Sequence, residues 1–153
     1  MGGESANASN VIFEGCNPIF RVASVAKSVD YYVRVLGFKL LWDNPGMFAC
    51  VARGKFHLFL SQGDQGNPGA WVWVGVSDAE GLHREYLASG ARIRHRPANY
   101  SWAYEMQVED LDGNILRMGS EPKEGEPDGE WLDMRGQVWA RNGKGEWVKV
   151  EKM

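Results

Sequence analysis

The sequence predicts an α+β protein in which two β-α-β-β-β modules form a curled mixed sheet around a cleft, followed by a C-terminal β-rich extension. Three observations predict it. First, the chain repeats itself: Pro18-Ile19-Phe20-Arg21-Val22 opens a segment whose plan returns from Trp71-Val72-Trp73-Val74-Gly75-Val76. Second, each opening strand is followed by a helix-period stretch that ends on a glycine, Gly37 or Gly90, after similar intervals, 15 residues from Val22 and 14 from Val76. Third, three extended runs follow each helix, the last two joined by a glycine-bearing turn.

Residues 1–12, small and polar, are expected to form a flexible tail. The body spans 13–120, with modules at 14–62 and 70–120. In the first helix Val25, Val29, Tyr32 and Leu36 recur at three- and four-residue steps and define one apolar face. Gly37 ends it in the left-handed conformation that glycine adopts cheaply. Strands are then expected over 39–42, 47–52 and 56–61, with Arg53-Gly54-Lys55 as the turn. Residues 62–69, with three glycines and a proline, are a linker.

The second helix opens at Ser77-Asp78-Ala79-Glu80, where Ser77 and Glu80 fit a reciprocal capping box. Ala79, Leu82 and Tyr86 give its apolar face, and Gly81 within it costs roughly 1 kcal/mol against alanine. Strands follow over 92–96, 104–109 and 115–118, with Asp112-Gly113-Asn114 as the hairpin turn. The extension, 121–153, starts as an acidic Pro/Gly linker. Gly129-Glu130-Trp131-Leu132 is then echoed by Gly145-Glu146-Trp147-Val148 around Gln137-Val138-Trp139-Ala140, the pattern of a small β-meander packing its tryptophans on the body.

The bulk numbers narrow the function classes. With 17 basic and 20 acidic residues, net charge -3, the chain has no basic stripe to neutralise phosphates, so nucleic acid is not an expected partner. No apolar run reaches the roughly 20 residues of a spanning helix, and the first residues lack the order of a signal peptide. No membrane association and a cytoplasmic location are therefore expected. Cys16 and Cys50 read as two buried small apolar residues rather than a disulfide or redox pair.

A four-stranded sheet carrying one helix covers only one of its faces, and two such open faces can curl into a shared cleft. Alternation along an extended strand places Trp71, Trp73 and Gly75 on the cleft side and Val72, Val74 and Val76 against the helix. Seven tryptophans make that cleft suited to an aromatic, heteroaromatic or cationic small molecule. Trp42, Phe48 and Phe59 are its candidates from the first half, with Trp102, Tyr104 and Arg117 from the second.

The strand, helix and Leu36-Gly37-Phe38 order, with a second copy ending in Asp112-Gly113-Asn114, resembles the vicinal oxygen chelate superfamily. That superfamily takes in glyoxalase I, extradiol dioxygenases, fosfomycin-resistance enzymes and bleomycin-resistance proteins. Ala70-Trp71-Val72-Trp73-Val74 and residues 105–114 look most like the bleomycin-resistance branch. The resemblance implies homodimers that sequester a drug without destroying it. Its enzymes hold a divalent metal with His, Gln or Glu side chains. Carried over, those positions are Asn17 and Trp71 on the opening strands, Arg117 on the closing strand of the second half, and Leu58 or Phe59 in the first, with His57 one step off.

Indole and aromatic rings offer no lone pair to a metal, and a guanidinium repels it, so neither metal nor other cofactor is expected. His83 reads as a solvated helix residue and His95 as part of the exposed run 92–96; no nucleophilic triad is legible. Two other readings stay open: an enzyme holding a metal through His57, Asn17 and Glu105, and an interaction module that uses the extension as its contact surface. Trp102-Ala103-Tyr104-Glu105-Met106 departs from the branch, lacking the arginine its relatives carry there.

Overall fold

The computed structural model describes residues 9–151. Each module has the expected order. In the first, β1 (Ile19–Arg21) leads into α1 (Val25–Asp30) and a π-helical turn (Tyr31–Val35), then β2 (Lys39–Asn44), β3 (Phe48–Arg53) and β4 (Phe56–Ser61). In the second, β5 (Trp71–Gly75) and α2 (Ala79–Ser89) precede β6 (Arg92–Asn99), β7 (Tyr104–Glu109) and β8 (Ile115–Ser120). The strands form two four-stranded mixed sheets, ordered β1-β4-β3-β2 and β5-β8-β7-β6. In each, the opening strand pairs in parallel with the closing one, Ile19 with Phe59 and Trp71 with Ile115, and every other pairing is antiparallel.

Local chemistry explains the boundaries. Ser24 caps α1, its hydroxyl accepting from the Lys27 amide. The wide π turn, in which Leu36 N donates to Tyr31 O, brings the adjacent tyrosines Tyr31 and Tyr32 both into the core, where ordinary helical periodicity selects only Tyr32. Gly37 (φ 79°) and Gly90 (φ 85°) end the helices in the left-handed region. At α2 the cap is Asp78, accepting from the Gly81 amide, and not the expected Ser77. A side chain at 81 would collide with that carboxylate, which accounts for a glycine inside the helix.

The helix-facing side chains of both sheets meet in one core. Phe20, Val51, Leu58 and Leu60 from the first module join Tyr86, Met106, Val108, Leu116 and Met118 from the second, and Val72, Val74 and Val76 pack against it as alternation predicts. Each helix also touches the end of the other module's central hairpin. Tyr31 Oη donates to Glu109 O, while Arg53, ending β3, pairs with Glu85 of α2, and Tyr86 Oη donates to Leu36 O. The helices thus lie between the two sheets, whose uncovered faces look outward. Among the described residues, no hydrogen bond or aromatic contact joins one uncovered face to the other.

The extension forms a third, antiparallel sheet of β9 (Trp131–Leu132), β10 (Val138–Arg141) and β11 (Trp147–Lys149). Of the expected tail, residues 1–8 lie outside the described residues, and 9–15 are exposed without regular structure. Cys50 is buried as expected, but Cys16 is exposed, because it precedes the first strand and nothing packs over it. The edge strand β6 runs to Asn99, longer than expected. It accommodates Pro97 where its pairing with β7 is irregular, since proline has no amide to donate there.

Candidate functional site

The uncovered face of the second sheet is built around one carboxylate. On the inner strand β7, Met106 and Val108 face the core, so Glu105 and Gln107 face outward, yet both are buried, 1% and 2% exposed. A buried carboxylate needs partners. Glu105 has four: Arg117 Nε at 2.8 Å and Nη2 at 3.1 Å, Trp102 Nε1 at 2.6 Å and Trp73 Nε1 at 3.2 Å. Arg117, where the superfamily places a ligand carboxylate, therefore restores charge balance with a carboxylate from the neighbouring strand.

The two indoles are held by position as well as by hydrogen bond. Gly75 and Gly119 lie in register beside each other, and a Cβ at either would come within 3.3 or 3.1 Å of the Trp73 ring. The glycines leave a flat bed on which Trp73 lies, the residue staying 48% exposed. Trp102 stacks on Tyr100, centroids 4.8 Å apart and planes 3° from parallel. Burial pushes the Tyr100 phenol up, and its hydroxyl donates to Glu130 O at 2.5 Å.

The extension is docked on this face. Gln107 Nε2 donates to Leu132 O at 2.9 Å, and Arg94 reaches Asp133 O at 2.6 Å while also bonding Gln107. Asn99 ties down the linker through Lys123 and Glu126, and Gly129 N donates to Asn99 O. Trp131 lies over the Arg117 guanidinium, 4.8 Å from its ring centroid. Trp71 is covered too, by Arg94 at 5.5 Å and by Trp131 at 6.4 Å. Between this meander and Trp102 remains a cavity of about 570 Å³, lined by Trp102, Arg117, Trp131, Asp133, Trp139 and Trp147. The indole N–H of Trp139 on Asp133, with the amides of Gln137 and Arg135, holds that carboxyl below its usual range.

The first sheet presents a separate aromatic group. Trp42, Phe48 and Phe59 meet with centroids 5.2 to 5.9 Å apart, above Cys50, which pairs with Trp42 on one side and Phe59 on the other. Burial raises the Cys50 thiol pKa. Of the two positions expected on β4, alternation sends Leu58 into the core, with His57 one step off and facing the opposite way, and puts Phe59 on the same outward face as His57.

The proposed contacts thus fall into two sets, Trp42, Phe48 and Phe59 on one sheet, Trp71, Trp73, Trp102 and Arg117 on the other. Tyr104 joins neither. It has the parity of Met106, and the Lys123 ammonium stands 4.3 Å over its ring on the α2 side, so its expected place beside Trp102 and Arg117 is corrected. Asn17 precedes β1 and is exposed. Glu105 as a hub, Trp131, Asp133 and Trp139 were not legible as site residues, although the polar parity of 105 and 107 on an inner strand signals a buried polar floor.

The turn motif joins the modules. Asp110 accepts from Tyr32 Oη, Asn114 Nδ2 and the amides of Asp112 and Asn114, while Asn114 also donates to Arg21 O and accepts from the Ala70 amide. Asp112 accepts from the Ala23 amide. A groove of about 920 Å³ runs along the edge strand β5 over Phe38, Phe56, Leu82 and Met118.

This two-module architecture matches the family model described as the glyoxalase/bleomycin resistance protein/dioxygenase superfamily over residues 16–118, and the chain belongs to that family. No protein among the curated ones matches it. Among solved structures it is similar to the bleomycin-binding protein of the bleomycin producer Streptomyces verticillus, complexed with copper(II)-bleomycin. Identity is 24%, the TM-score 0.63, and the match covers 72% of this chain and 98% of that one. It is also similar to TioX from Micromonospora sp. ML1 (23%, TM-score 0.61, 70% and 99% covered) and to a superfamily member from Sphaerobacter thermophilus (22%, 0.62, 72% and 100%). At these identities the likeness is one of fold. The family match ends before the extension begins.

Proposed function

We propose that the protein is a metal-independent small-molecule binding protein that sequesters an aromatic or cationic drug-like ligand, as the bleomycin-binding protein holds its copper(II)-drug. The observation that carries this reading is the pair of indoles, Trp73 and Trp102, fixed edge-on by Glu105, each with one face taken, by the glycine bed and by Tyr100, and each still about half exposed. Such preorganised flat surfaces favour π-stacking and cation–π contact at little ordering cost.

What supports metal independence is the donor set. The superfamily's ligand positions carry Trp71, covered by Trp131, and Arg117, a cation, while Leu58 is in the core. Glu105, the carboxylate nearest them, already accepts four hydrogen bonds. A divalent ion needs several free lone pairs at about 2.0 to 2.6 Å, so these residues do not fit one.

A homodimer completes the reading. The uncovered faces of one chain look apart, so a cleft with both walls needs a second copy, its Trp42, Phe48 and Phe59 set opposite the Trp73 and Trp102 set. Trp42 and Leu41, each 49% exposed, and the unpaired edge of β5 are suited to that contact. Both thiols are free, which suits the cytoplasm. Trp102→Ala is expected to weaken binding of a flat cationic drug by at least about 1 kcal/mol in a fluorescence titration; unchanged affinity would remove the face from the site.

A further inference from the structure

We infer that the cavity between Trp102 and the C-terminal meander is the binding site of a small, flat, nitrogen-bearing heteroaromatic cation, and that the extension restricts the protein to ligands of that size. This rests on the reading above that the uncovered face of the second sheet is the binding face. It adds three walls, Trp131, Trp139 and Trp147, that lie outside the family match.

The cavity stays open beside a packed cluster of Tyr100, Trp102, Trp131 and Trp147, whose contacting ring centroids lie 4.8 to 6.3 Å apart. Trp102 contacts Trp131 and Trp147 at 5.9 and 6.2 Å, but Trp139 stacks on none of the other cavity tryptophans among the described residues, and about 570 Å³ stays open between them. Trp139 is held away by its hydrogen bond to Asp133, at 2.9 Å, and Trp102 by its bond to Glu105. Two of the four wall tryptophans, Trp102 and Trp139, are thus fixed by side-chain carboxylates and not only by other rings, as a site ready for a ligand requires.

Size and charge define the ligand. A volume near 570 Å³ is in the range of about 300 to 1,000 Å³ that takes drug-sized molecules. The wider floor at Gln107 and Arg94 is closed by the carbonyls of Leu132 and Asp133, which keeps a large ligand off it. Arg117 is neutralised by Glu105 and covered by Trp131, leaving Asp133, half-buried, as the carboxylate at the cavity wall. Indole faces and that carboxylate together favour a flat cation.

The test is a titration of the full ¹⁵N-labelled chain with 9-aminoacridine, a flat cation, and with acridine-9-carboxylate, its anionic counterpart. The seven indole N–H signals of the chain are the readout. The inference expects saturable shifts at Trp102, Trp139 and Trp147 with the cation, and binding of the anion at least about tenfold weaker. Trp147→Ala should weaken the cation about tenfold, while Trp147→Phe, which keeps a ring in the wall, should stay within about threefold. Signal dispersion in the same spectra reports whether each variant is folded. Shifts confined to Trp42 or Trp73 would overturn the inference and leave the binding reading standing. Absence of any saturable shift, or equal binding of the anion, would also overturn it.

Discussion

Asp110 illustrates how a family turn motif acts at the scale of single residues. It is fully buried, and desolvation raises its pKa above 3.8 even though four hydrogen bonds act the other way. Because the folded value lies above the unfolded one, the folded chain holds more protons in that interval, and stability falls as pH rises through it. Asp110→Ala leaves Tyr32 Oη without an acceptor in the core and Asn114 Nδ2 with Arg21 O alone. Chemical denaturation at pH 7 should show a loss of about 3 kcal/mol, and the dependence of stability on pH above 3.8 should flatten. A loss below about 1 kcal/mol would mean the turn does not hold the modules together. The Asp112-Gly113-Asn114 turn was legible from sequence, but Asp110's role was not, since its partner Tyr32, and Arg21, whose carbonyl accepts from Asn114, are brought there only by the packing of one module on the other.

At the scale of elements, period-two and helical patterns located the strands and helices because burial on one face leaves that signature. Val72, Val74 and Val76 against the core, with Trp71 and Trp73 outward, follow from alternation alone. The π turn and the Asp78 cap were not legible, because each depends on a local choice between near-equivalent hydrogen-bond patterns. The extension was legible as a meander, but its seat was not: nothing in its sequence says that Leu132 O and Asp133 O satisfy Gln107 and Arg94. Trp131 couples this element to the body through Arg117. Trp131→Ala is expected to cost about 2 kcal/mol in thermal or denaturant unfolding and to raise the exposure of Trp71 to acrylamide quenching. Quenching unchanged from the parent chain would show that the meander does not rest on this face.

For the whole molecule, the shared core of the two modules decides the rest. It turns both uncovered faces outward, so a two-walled site calls for two chains, and sedimentation equilibrium at micromolar concentration should give twice the 17.1 kDa chain mass. Leu41→Asp and Trp42→Asp together should shift that equilibrium toward the monomer; a monomer in the parent chain would confine binding to the face and cavity of a single module. A single shared cleft is what two repeats suggest on paper, but the repeat pattern alone does not distinguish modules packed by their helices from modules joined at their strand edges.

Binding without a metal, at indoles held by Glu105, is the proposed property on which the rest depends. It is tested most directly by calorimetric titration of protein dialysed against EDTA with a flat cationic drug, followed by analysis of the recovered ligand. The account predicts saturable binding that added zinc, iron, manganese or nickel leaves unchanged, with the drug recovered intact. Binding that appears only when a metal is restored, or a drug recovered chemically altered, would contradict it.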